Sequence, residues 1–132
     1  MPLRDLTRCP HLSELRKEHV PLLASLRMWA VMRKMSWCPM GAVAERLGSQ
    51  RAAAHFHLML EEIGAAWPEP FCVSPPCSPR LSHDEATFVE MIAVASRGNR
   101  PAFDRLLSDL LPADERERLF VSASTLTNFV HG

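Results

Sequence analysis

The chain has no tyrosine, only two lysines, and only five glycines among its 132 residues. With so little glycine there is no Gly-rich phosphate loop, and neither a Gly-x-Ser-x-Gly elbow nor a His-Glu-x-x-His helix occurs. The common frameworks for phosphate, ester and zinc-peptidase chemistry are therefore missing, and the chain reads as a non-enzyme. Charge of one sign is also lacking: fifteen Lys and Arg against fifteen Asp and Glu give a formal net charge of zero. That removes the whole-molecule basic field on which nucleic-acid binders draw. No apolar run reaches the length of about eighteen residues that a membrane span requires. Charged residues interrupt the N-terminus before any apolar stretch forms, so it does not read as a secretory signal.

What remains is an ordinary globular composition, 47% apolar and 23% charged, which argues against disorder. A chain of this length suits one domain that buries roughly 65–70% of its unfolded surface. The four cysteines (Cys9, Cys38, Cys72 and Cys77) read as reduced thiols in a cytosol, so a cytoplasmic protein is expected.

Proline and glycine punctuate the chain into helical runs. Pro10, Pro21 and Pro39 each precede a run with helical periodicity. The pattern predicts a short helix over about 11–19, a longer one over 21–36, and a third over 42–47 stopped by left-handed Gly48. Ala52, Phe56, Met59, Leu60 and Ile63 then share one helix face over 49–63, with Gly64 as the expected stop. Residues 67–81 hold five prolines and cannot be helical. Their apolar Phe71, Cys72 and Val73 predict an ordered strap laid across the molecule, with Cys72 buried and unliganded. Ser82-His83-Asp84-Glu85 is a capping box that opens a helix ending at Gly98. Further helices follow, one through Phe103, Leu106, Leu107, Leu110 and Leu111, and one after Pro112 through Leu119, Ala123, Leu126 and Val130. The expected fold is an all-α bundle of about six or seven helices in a single domain, 1–132.

Several residue groups are candidates for a site. Met28, Trp29, Met32 and Met35, with Trp37 and Met40 nearby, lie on or beside the helix over 21–36, which is apolar on nearly every side. Such a helix is either the centre of the bundle or covered by a partner, and methionine-rich surfaces adapt to partners. Core is the plainer reading; an interaction module, for instance a homodimer burying part of this helix, is the leading functional one. The run from Ala42 to Gly64 resembles the paired helices of the small winged-helix repressors. That resemblance implies a recognition helix over 49–63, with Ser49, Gln50, Arg51 and His55 facing DNA. The link Leu47-Gly48-Ser49 is one residue short for that family, His57 stands where leucine is usual, and no wing strands follow. The helix also carries one positive charge, Arg51, against the two negative ones of Glu61 and Glu62, so nucleic acid is the weaker expectation.

Cys72 and Cys77 have the spacing of half a zinc site, without a recognisable second half. His55 and His57, two apart on a helix, point to different sides and do not supply it. Cys9-Pro10-His11 and Cys38-Pro39-Met40 resemble short haem-regulatory dipeptide motifs, but their prolines already serve as helix starters, and no cofactor is expected. His83, Asp84 and Glu85 cluster at a helix start, where capping accounts for them without chemistry. The stretch Pro75-Pro-Cys-Ser-Pro-Arg-Leu-Ser-His-Asp-Glu85, followed by Ala102-Phe-Asp-Arg-Leu-Leu-Ser-Asp-Leu-Leu111, is similar to a small all-helical alphaproteobacterial family of unknown function. The resemblance implies an all-helical fold and carries no activity.

Overall fold

The computed structural model describes residues 10–130. Six α-helices follow in order: α1 (Val20–Lys34), α2 (Met40–Leu47), α3 (Gln50–Ala66), α4 (His83–Ser96), α5 (Arg100–Leu107) and α6 (Ala113–Val130). Among the described residues there is no strand, only an isolated antiparallel bridge between His11 and Arg80. The fold is all-α. No helix among the described residues is long and apolar enough to cross a membrane.

Local chemistry places most boundaries where the pattern predicts them. Gly48 closes α2 in the left-handed region (φ 82°), which only glycine enters without steric cost. Ser49 caps α3 by accepting from the Ala52 N–H, and Asn99 caps α5 through the Ala102 N–H. The Ser82–Glu85 capping box is complete, with both reciprocal bonds formed. Three expectations fail. α5 ends at Leu107, so Leu110 and Leu111, expected on its face, stand in the turn that follows. Residues 11–19 form two three-residue 3₁₀ turns, Leu12–Glu14 and Lys17–His19, rather than one helix. Gly64 does not stop α3, which runs on to Ala66. Pro68 is the true breaker, because it holds Trp67 extended (φ −63°, ψ 133°).

The helix at the centre is not the one the apolar count suggests. α6 packs along α3, α4 and α5, whereas α1 leans on α2 and, more lightly, on α4. Phe56, Met59 and Ile63 of α3 meet Phe88, Met91 and Ile92 of α4 and Leu119, Ala123 and Leu126 of α6 in one buried cluster. From α1 only Leu22, Leu23 and Leu26 are fully buried members. The reading of α1 as central is thus corrected: its first half is core and its second half reaches the surface.

The strap is ordered, and its ties are polar as well as apolar. Trp67 and Leu81 are buried at its two ends, while Phe71 and Val73 are half-buried against the core. Trp67 and Phe71 pack edge to face, with ring centroids 5.2 Å apart. The Leu12 N–H donates to the Pro79 carbonyl (2.6 Å) and the Leu81 N–H to the Pro10 carbonyl (2.9 Å), which sews the strap to the first turns. Cys72, expected inside, is exposed. In an extended segment neighbouring side chains alternate in direction, so placing Phe71 and Val73 inward turns Cys72 out. Phe71→Ala is expected to cost about 1–2 kcal/mol, because the ring is only partly withdrawn from water. Urea unfolding with an unchanged slope would show it.

Candidate functional site

Arg27 interrupts the apolar sequence of α1 and is 3% exposed, against 0% for Glu85 at the start of α4. The guanidinium donates to both Glu85 oxygens, from Nε at 2.8 Å and from Nη2 at 3.0 Å. It also donates to the carbonyls of Ser78 (2.9 Å) and Arg80 (3.0 Å). Glu85 accepts further from the N–H groups of Ser74 (3.0 Å) and Ser82 (2.8 Å). Next to it, Asp84 accepts from the Cys72 N–H (2.7 Å) and the Trp67 indole (3.3 Å). The first turn of α4 is therefore a receptor for the strap. Asp84 and Glu85 read as caps, and Glu85 does cap, but the strap-holding role of both was not visible in the sequence pattern. A lone arginine between Leu26 and Met28 was the available signal.

This staple sets α1 beside the strap and leaves a groove of about 420 Å³ between them. Ala30, Val31 and Lys34 line one side, and Phe71, Val73 and Pro75 the other. Beside the groove α1 ends in a left-handed residue, Ser36 (φ 61°), after which the Trp37 N–H donates to the Met32 carbonyl. Val31, Met35 and Trp37 are 38%, 52% and 56% exposed. Of the predicted set, Met35 is exposed, while Met28, Trp29 and Met32 are half-buried. Trp29 is held from behind. Its indole donates to His57 Nδ1 (3.0 Å), the Arg33 guanidinium lies 5.0 Å from its ring centroid, and Arg33 pairs with Glu61. The His57 ring also stands 3.6 Å from Glu61, the i, i+4 neighbour the spacing suggests.

α2 and α3 form a helical hairpin. Ser49 spends its hydroxyl on the cap, Gln50 and Arg51 are exposed, and His55 stacks on Phe129 with centroids 4.9 Å apart. The strap that follows carries no wing hairpin. No protein-family model, characterised protein or solved structure matches the chain.

The remaining candidates come apart in space. Among the described residues no group of three or more His, Cys, Asp or Glu side chains is gathered closely enough to hold a metal, so Cys72 and Cys77 gain no further ligands. Cys38 is exposed beside Trp37, and Cys9 lies outside the described residues. Cys38, Cys72 and Cys77 are all expected to react with a thiol reagent in the native protein without a denaturant-dependent lag. Resistance of Cys72 would show that the strap turns it inward.

Proposed function

We propose that the chain is a non-enzymatic interaction module whose binding face is the exposed end of α1 together with the strap. The observation that carries this reading is the exposure of Val31, Met35 and Trp37 at the end of α1 that borders a groove of mostly apolar lining. Isolated exposed hydrophobes need no explanation, but three within seven residues at one helix end suit a surface that another protein covers. Tryptophan and methionine suit that use, one as an anchor and the other as an adaptable neighbour.

A Met35→Glu/Trp37→Glu variant tests it. Both side chains lie outside the core, so folding stability should change by no more than about 0.5 kcal/mol per site. Sedimentation at micromolar concentration shows whether the wild type self-associates through this face, in which case the variant is expected to be a monomer. If both are monomers, photo-crosslinking from position 37 in the source cells should give an adduct that crosslinking from exposed Val121 does not. Absence of that difference overturns the reading.

A second reading rests on the exposed Gln50 and Arg51 at the start of α3. In it, the α2–α3 hairpin is a helix-turn-helix-like regulator of transcription that presents them to the major groove. His55 is committed to Phe129, and Glu61 and Glu62 follow on the same helix, which leaves little to attract phosphate. A mobility shift against genomic fragments at roughly 50 mM salt that disappears with Arg51→Ala would support it; no shift at that salt removes it.

A further inference from the structure

We infer that the partner binds as an extended peptide, adding a strand to the free edge of the strap at Phe71–Val73, with an acidic group placed at Lys34. The inference rests on the interaction reading above and goes further by naming the form and charge of the partner.

Over residues 70–75 the strap has no turn or bend, and among the described residues one edge of it is in use. The N–H groups of Cys72 and Ser74 donate to Asp84 and Glu85, and the Cys72 carbonyl accepts from the Ser82 hydroxyl. In an extended chain the peptide groups of alternate residues point to opposite edges. Those of Phe71 and Val73 therefore face away from α4, and among the described residues nothing hydrogen-bonds either their N–H or their C=O. Both residues line the groove, and on this inference these four groups face it, where another backbone would replace water. Pro70, Pro75 and Pro76 bound the segment and limit the pairing to a short register.

The opposite wall defines the rest of the partner. Ala30 and Val31 offer an apolar surface to its side chains, and among the described residues Lys34 is the one charged residue lining the groove. Lys34 makes no ion pair among the described residues. An acidic side chain or a C-terminal carboxylate would complement it. This is recognition by strand addition, in which backbone bonds supply affinity and alternate side chains supply specificity.

The test pans a random linear peptide library against the full chain and follows the selected peptides by amide hydrogen exchange. Without peptide, Phe71 and Val73 should exchange fast and Cys72 and Ser74 slowly. Selected peptides are expected to carry apolar residues at i and i+2 with a neighbouring Asp or Glu, and to protect Phe71 and Val73. N-methylation of alternate peptide nitrogens, and separately Lys34→Glu in the protein, should each weaken binding about tenfold or more, the equivalent of losing one or two net polar contacts. Lys34 is exposed, so its substitution tests charge without threatening the fold.

Failure to select any peptide overturns the inference. So does selection of peptides with helical i, i+3, i+4 spacing, or binding that leaves the Phe71 and Val73 amides unprotected. The Met35→Glu/Trp37→Glu result does not depend on the strap backbone. If it stands while these fail, the face still binds a protein, but not by strand addition.

Discussion

Glu85→Ala is expected to destabilise the protein by about 3–5 kcal/mol, because it strands the Arg27 guanidinium as an uncompensated buried charge. It also leaves the Ser74 and Ser82 N–H groups without their acceptor. Arg27→Ala should cost a similar amount from the other side, freeing the Ser78 and Arg80 carbonyls as well. The two losses will not add. Arg27→Met/Glu85→Met removes both charges at once and should be less harmful than the sum of the singles, which a double-mutant cycle in urea will show. Single costs below about 1 kcal/mol would mean that water reaches the pair.

The same carboxylate predicts an acid sensitivity. Burial pushes the Glu85 pKa up, but the bonds from Arg27 and from the Ser82 and Ser74 N–H groups outweigh it, and the net lies below the ordinary glutamate value. A pKa depressed in the folded state means that the unfolded chain takes up the proton first as pH falls. The stabilisation is therefore complete above the unfolded value of about 4.3 and is lost as pH drops toward and through the folded one. Melting curves between neutral and acid pH should show a steeper decline for the wild type than for Glu85→Gln.

Phe88→Ala is the second large effect, expected at about 3–5 kcal/mol. Phe88 is completely buried and meets the equally buried Phe56 edge to face, with centroids 6.0 Å apart and planes at 88°. Truncation removes both the transfer free energy of the ring and its contacts with Phe56, and leaves a cavity that rigid neighbours on α3 and α6 cannot close. Chemical unfolding gives the number directly. A value near the 1–2 kcal/mol expected for the half-buried Phe71 would show that the core collapses around the gap.

Hydrogen-bonding and steric rules that act within a few residues made much of the chain readable from its sequence. A serine three residues before a glutamate specifies the Ser82–Glu85 capping box wherever it stands. Gly48 and Gly98 end helices because left-handed backbone suits glycine, and the faces of Phe88, Met91 and Ile92 or of Leu119, Ala123 and Leu126 follow from helical spacing alone. These local rules determined the all-helical class, the number of long helices and the proline strap. They misjudged the stop at Gly64, where the restraint that Pro68 places on Trp67 acts instead of the glycine.

Tertiary structure decided which apolar residues found cover. Periodicity shows that α1 is apolar on most sides, yet it cannot show that α6 and α3 occupy the centre and leave Met35 and Trp37 outside. Composition likewise made Cys72 a small buried hydrophobe, whereas the alternation of the strap, set by Phe71 and Val73 turning inward, puts it in water. Above all, Arg27 and Glu85 stand 58 positions apart and carry no shared local signal. Only the folded chain brings the guanidinium to the start of α4, and a buried charge is stable there because its opposite and two strap carbonyls meet it.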